Sequence, residues 1–204
     1  IEALWPECDP EAAGNNLKVT AYSLRQTLTL VGRGTEAEPD EPCVLFMEGT
    51  YAINPQLELQ VDVDEFEHRW MVGQRLEREG KANEAAESYE LARTLYRGDY
   101  LEDDPYEEWT LLRREALKDI YTTILGKLAS WYLNVGDYEG CIACCHGILA
   151  KDCCREDAYW GLMRCNSRLG RRGRALYWYN VCLRTLETTL GIKPDVQTLA
   201  LHRS

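Results

Sequence analysis

The sequence predicts a mainly α-helical protein, in which a helical repeat follows a shorter segment of helix and β-hairpin. Three observations carry this. From about Phe66 onward, apolar residues recur at three- and four-residue spacing with few Gly or Pro between them. Three glycine-led segments in that stretch align with one another, and two of them lie 34 residues apart. Residues 1–55 break the pattern, with a loop-like stretch and two short apolar runs in place of continuous helix.

Composition narrows the function classes. The 204 residues are 45% apolar, enough for a substantial core. With 23 Lys and Arg against 34 Asp and Glu, the net charge of −11 excludes a surface that grips nucleic acid throughout. Any DNA contact must be local. No apolar run approaches the length of a membrane span, and no charged-then-apolar leader opens the chain. The expected location is therefore cytoplasmic, with no membrane partner. A first residue of Ile rather than Met reads as a piece of a longer protein. Nine cysteines, an odd number without a secretory leader, are expected as reduced thiols.

The first segment, residues 1–55, begins with a helix opened by Asp9-Pro10, and a second helix is entered near Asn15. Leu17, Ala21, Leu24 and Leu28 recur at i, i+4, i+7 and i+11, which predicts one buried face. "GRGTEAEPDEP", Gly32 to Pro42, has loop composition. "CVLFMEGTYAIN" follows as two apolar runs around Glu48-Gly49, a β-hairpin signature. Helix, helix, loop, hairpin is the order of the second half of a winged helix, in which the second helix enters the major groove and the hairpin is the wing.

Residues 56–204 carry the repeat. "GKANEAAESYELA" from Gly80, "GDYEGCIACCHGI" from Gly136 and "GRRGRALYWYNVC" from Gly170 share one register. The second interval is 34 residues, the tetratricopeptide period, and the first is 56, that period plus a 22-residue insertion. Five residues after each Gly stand Ala85, Cys141 and Ala175, where two helices approach and only a small side chain fits. Nine after stand Tyr89, Cys145 and Tyr179; twelve after stand Ala92, Ile148 and Cys182; seven before stand Gly73, Ala129 and Met163. Cys141 and Cys182 thus occupy slots that Ala fills in sister repeats, and cysteine packs well as a small apolar side chain. Cys141 and Cys145 share a helical face, with Cys144 to the side. Two further metal ligands would have to come from Cys153, Cys154 or His146, without the paired knuckles of a structural zinc site. Core filling is the expected role, with no metal and no cofactor.

The insertion, "LYRGDYLEDDPYEEWTLLRREAL", is acidic but lacks the alternating ligands and turn glycine of a calcium loop. Asp103 or Asp104 is expected to cap a helix with Pro105 in its first turn, running to about Leu133. Trp109, Leu112, Leu117, Ile120, Ile124, Leu128 and Trp131 form its expected core stripe. Gly191 and Pro194 in "LETTLGIKPD" close a later helix, and Asp195 is placed to cap a short one through Leu201.

Four blocks together resemble the bacterial transcriptional activator domain family, the antibiotic-regulatory-type activators. They are "LWPECDPEAAGNNLKVTAYSLRQTL", "GTYAINPQLELQVDVDEFE", "LYRGDYLEDDPYEEWTLLRREAL" and "LMRCNSRLGRRGRALYWYNVCLRTLETTLGIKP". The resemblance spans nearly the whole chain. It implies the C-terminal part of a winged-helix DNA-binding domain, residues 1–55, followed by a tetratricopeptide-like activator domain, residues 56–204. It further implies a DNA-binding regulator, an activator, whose helical domain contacts RNA polymerase or another protein, with self-association as a further such contact. The family's recognition-helix pattern is matched at Leu17, Ala21, Ser23, Leu24, Arg25 and Leu28, with Ser23 where relatives often carry Arg. Candidate DNA-facing residues are Asn15, Asn16, Lys18, Thr20, Tyr22, Ser23, Arg25 and Gln26.

Residues 1–55 hold three basic and nine acidic side chains, a net of −6, although a winged helix draws much of its affinity from phosphate contacts. The alternative function is a tetratricopeptide scaffold without DNA binding. Catalysis is not expected. His68, His146 and His202 sit in no triad, phosphate-loop or zinc-helix motif, and Cys145-His146, adjacent on a helix, point apart. Arg171, Arg172 and Arg174 are the dense basic cluster, expected as solvated side chains or partners of nearby carboxylates.

Overall fold

The structure, a computed structural model, describes residues 4–31, 42–56, 60–103, 108–196 and 198–199. They fall into two compact units, Ile1–Gln60 and Val61–Ser204.

In the first unit, helix α1 runs from Pro10 to Val31 without a break. Asp9 Oδ1 accepts from the backbone N–H groups of Glu11 and Ala12, each at 3.0 Å, and Pro10 supplies the favoured first position. The expected second helix start at Asn15 is therefore corrected. No residue between Pro10 and Val31 breaks the ladder, and the lone Gly14 is tolerated. The hairpin forms as expected, β1 (Val44–Met47) against β2 (Thr50–Ile53), antiparallel, with Phe46 opposite Tyr51. Glu48 and Gly49 both take positive φ, 52° and 82°, as a two-residue hairpin turn requires. The loop expected over Gly32–Pro42 lies, up to residue 41, outside the described residues.

The buried face of α1 is partly corrected. Ala13 and Ala21 are buried and Leu17 and Leu28 half-buried, but Leu24 is 42% exposed. The hairpin meets the helix on the side of Arg25, whose Nε donates to the Val44 carbonyl at 2.8 Å and whose guanidinium lies over the Tyr51 ring at 5.7 Å. Leu24 points away from that contact.

Among its described residues the second unit stacks six long helices in two layers: α2 (Asp62–Arg78), α3 (Ala82–Leu95), α4 (Glu108–Val135), α5 (Tyr138–Lys151), α6 (Glu156–Arg168) and α7 (Arg172–Leu190). Consecutive helices pack as antiparallel pairs, α2 on α3, α4 on α5 and α6 on α7, with α3–α4 and α5–α6 contacts joining the pairs. Gly80, Gly136 and Gly170 each take positive φ, 76°, 85° and 73°, in the turn inside each pair, which is why one glycine leads each repeat. The small-residue slots hold: Ala85 and Cys141 are 1% exposed, and Ala92 and Cys182 are fully buried. Gly73 lies so close under the Tyr89 ring that a Cβ there would collide with it. A Cβ at Gly161 would come within 2.6 Å of Cys145 Sγ. Tyr179 and Ala175 are only half-buried.

The expected stripe of α4 is corrected at its first two turns. Trp109 is 50% and Leu112 84% exposed, while the polar Thr110 and Arg114 are buried. The neighbour on that face is the insertion loop, which presents backbone carbonyls rather than apolar side chains. Arg114 donates to the carbonyls of Tyr100 (2.8 Å) and Leu101 (2.9 Å) and to Thr110 Oγ1 (3.1 Å). A planar guanidinium satisfies several acceptors at once. From Leu117 onward Ile124 and Leu128 are buried, and Ile120 and Trp131 half-buried, as expected. Of the cap expected at Asp103 or Asp104 with Pro105 in the first turn, Asp104 and Pro105 lie outside the described residues, and α4 is described from Glu108. At the far end Gly191 takes φ 68° and its N–H bonds the Glu187 carbonyl at 3.1 Å. Asp195 Oδ1 caps the following turn by accepting from Thr198 N–H at 2.9 Å.

Three substitutions test this packing. Ala85→Leu overpacks the α2–α3 seam and is expected to cost about 1–3 kcal/mol, read as a lower melting temperature, while Ala175→Leu on half-covered α7 costs clearly less. Equal costs would contradict the half-burial of Ala175. Arg114→Met strands the loop carbonyls and is expected to cost about 2–4 kcal/mol, as for a lost hydrogen-bonded charge at a buried site. A neutral melting temperature would contradict it.

Candidate nucleic-acid interface and helical groove

Two surfaces and one cluster of thiols are candidates. On α1, Asn15, Asn16, Lys18, Thr20, Tyr22, Ser23 and Gln26 are exposed, and Tyr22 is 63% exposed. Asn15, Tyr22 and Gln26 lie on one side of the helix, opposite Ala13 and Leu17, as the 3.6-residue period dictates. Arg25 stands apart from the other candidates: it is half-buried, its Nε committed to Val44 in the hairpin. Its sequence neighbours gave no sign of this, because the acceptor lies 19 residues away. Val19 on α1 and Phe46 and Met47 on the hairpin are also exposed.

In the helical unit, α2, α4 and α6 rim a groove of about 480 Å³. Its charged groups come in pairs. Lys127 Nζ bonds Glu77 at 2.5 Å and lies 5.9 Å from both the Trp70 and Tyr89 rings. Arg155 holds Asp157 through two bonds, at 2.7 and 3.0 Å. Thr123 and Ser130 supply hydroxyls between them. A cavity of about 180 Å³, lined largely by Gly126, Ala129, Ala158 and Gly161, adjoins it at Ser130 and Asp157. Small side chains that let the helices approach also leave space there. The result suits a peptide or protein surface carrying both charges and an apolar anchor. It carries no nucleophile–base pair.

The thiols of the helices are core. Cys141, Cys144, Cys145, Cys165 and Cys182 are at most 1% exposed. Cys144, expected at the side, is buried too, because α5 is covered by α4 and α6 and faces the Glu90–Arg93 region of α3. The hydrogen bond with Cys145 pushes the Cys141 thiol up to about 12, and burial does the same to Cys144 and Cys182. A hydrogen bond with Cys141, then burial, raises Cys165 as well. Such thiols are poor ligands and poor nucleophiles. Among the described residues no group of three or more His, Cys, Asp or Glu could hold a metal ion. His146 is exposed and sits edge-on to Trp178 at 5.1 Å, away from buried Cys145. Partial desolvation of the ring and the nearby Arg174 lower its pKa. Arg168, Arg171, Arg172 and Arg174 are all exposed. Arg171 pairs with Glu139 at 2.8 Å, and Arg174 lies over the Tyr177 and Trp178 rings.

Among the described residues no helix is long and apolar enough to cross a membrane. A family model described as the bacterial transcriptional activator domain matches residues 61–204. No curated protein shows a significant match to the chain. Among solved structures, Mycobacterium tuberculosis EmbR, in complex with a low-affinity phosphopeptide, is similar over 100% of this chain and 52% of its own, with 22% identity and a TM-score of 0.71. The chain thus spans about half the length of that protein. The C-terminal TPR-containing domain of a Plasmodium falciparum FK506-binding protein is similar over 71% of this chain and 89% of its own, with 17% identity and a TM-score of 0.52. At these identities the likeness is one of fold.

The burial of the helix thiols has a direct consequence. A colorimetric thiol reagent added to native protein is expected to leave Cys141, Cys144, Cys145, Cys165 and Cys182 unmodified, while Cys8 and Cys153 react. Denaturant exposes all of them. Fast native labelling of Cys141 or Cys165 would contradict the packed core.

Proposed function

The chain belongs to the bacterial transcriptional activator domain family, and on that premise we propose that it is part of a DNA-binding transcriptional activator. The helical unit is its activator-type domain. The observation that carries the finer reading is the polar row on α1, braced by a hairpin that Arg25 fastens to the helix. In this reading α1 lies in the major groove of promoter DNA and the hairpin acts as the wing. Asn15, Asn16, Lys18, Thr20, Tyr22, Ser23 and Gln26 contact bases or backbone, and Arg25 sets the angle between helix and wing. The groove of α2, α4 and α6 contacts a protein, RNA polymerase or a second copy of the chain. The activity is binding in the cytoplasm rather than catalysis.

The second reading, a scaffold without DNA binding, is favoured by one observation. Lys18 is the only basic side chain on the exposed face of α1, and few phosphate contacts are available from it. A salt-series titration of the full-length parent protein on promoter DNA from its own locus separates the two. Lys18→Ala is expected to weaken binding on every sequence and make the salt dependence shallower by about one ion. Gln26→Ala is expected to cost about 1–3 kcal/mol at one base position and relax preference there. Undetectable binding, or binding that neither substitution changes, would leave the scaffold as the better account.

A further inference from the structure

The turn between α5 and α6 holds two adjacent cysteines that differ in kind from the five buried ones. Cys153 is exposed and Cys154 half-buried. Their counterparts in the repeat register are Arg97-Gly98 and Glu187-Thr188, so no packing slot calls for a thiol at either position. The two Sγ atoms lie 4.0 Å apart. The turn that presents them is fixed from both sides. Cys154 N–H donates to Asp152 Oδ1 at 2.9 Å, and the Tyr159 hydroxyl donates to the Cys153 carbonyl at 2.9 Å.

We propose that Cys153 and Cys154 form a two-thiol chelating site for a thiophilic trivalent centre, with a monosubstituted trivalent arsenical as the fitting chemical class. Ligand number decides the class. A structural zinc ion asks for four ligands, and no third thiol, imidazole or carboxylate joins this pair into a metal-holding group among the described residues. A monosubstituted arsenic(III) has two exchangeable positions, which two thiols fill completely. Spacing agrees. Two As–S bonds on one pyramidal centre hold their sulfurs somewhat closer than the 4.0 Å seen here, a gap that a small side-chain rotation closes.

The step balances without a further reactant. From an arsenoxide, two As–S bonds form while the As=O bond and both S–H bonds break. The oxygen leaves with the two protons as one water, and arsenic stays trivalent. The site is also coupled to the fold. Cys154 packs against the cluster of Tyr159, Cys182 and Leu186 that holds α7 on α6, so a ligand on the turn bears on how α7 is seated.

Phenylarsine oxide added to the native full chain, followed by intact mass, tests the proposal. One phenylarsenic(III) per chain is expected, retained in excess 2-mercaptoethanol and removed by 1,2-ethanedithiol, because only a dithiol competes with a chelate. Cys153→Ser is expected to abolish the monothiol-resistant adduct, while the Cys8→Ser, Cys43→Ser double variant keeps it. An adduct that survives in Cys153→Ser, or no resistant adduct on the native protein, overturns the site. Cys153 is exposed, so its Ser variant is expected to melt with the parent. Should it melt lower, Cys154→Ala must lose the same adduct for the proposal to stand.

Discussion

The distance of closest approach between paired helices governs the second unit. Gly73 beneath the Tyr89 ring and Gly161 beside Cys145 Sγ are places where even one carbon atom has no room. Because α2 and α3 meet there, Ser88 Oγ can reach the Arg69 carbonyl at 2.8 Å across the same seam. The tight pairs also bring α2 and α4 into one layer, where Arg113 grips Glu67 through two bonds of 2.7 Å. Those exposed ion pairs add little free energy of their own and follow from the packing. Van der Waals contact at the seams and apolar burial between the layers supply the stability.

Much of this was legible in the residues. The glycine-led register predicted which side chains are small and which are buried, because a solenoid repeats one packing solution. Three features were not legible, and each has a physical cause. Thr110 and Arg114 replaced Trp109 and Leu112 in the buried stripe, since a hydropathy pattern cannot register a neighbour made of carbonyl groups. The start of α1 was read as two helices because Asp9-Pro10 and Asn15-Asn16 are both start signals, and only the first has its capping bonds. Leu24 and Arg25 exchanged roles because the hairpin approaches α1 from a direction that periodicity within the helix does not encode. The polar row on α1 was readable from spacing; the tether from Arg25 to Val44 was not.

The two units differ in how they treat charge. In the helical unit, cations are matched by carboxylates within reach: Lys127 by Glu77 and Arg155 by Asp157 at the groove, and Lys151 at the end of α5 by Asp99 at 2.7 Å. Hydrogen bonds from Lys151 and Tyr96 hold the Asp99 carboxyl below its usual range, against the effect of burial. A surface neutralised pair by pair discriminates partners by geometry rather than by long-range attraction. The first unit keeps fewer cations, and its exposed row is dominated by amides and hydroxyls. Groups of that kind read hydrogen-bonding edges at short range and do little to steer encounter from a distance.

Helix α7 rests on a separate small cluster. Cys182 and Leu186 are its buried side chains, grouped with Tyr159, while α2 to α6 share the large core. An element whose buried side chains belong to a small cluster apart from the main core can open at a lower free energy than that core, as its own foldon. Amide protons of α7 therefore exchange through local opening while those of α4 and α5 wait for global unfolding. Any macromolecule that settles on the outer face of α7 raises the free energy of that opening by its own binding energy. The rigidity of α7 is in this sense set by company.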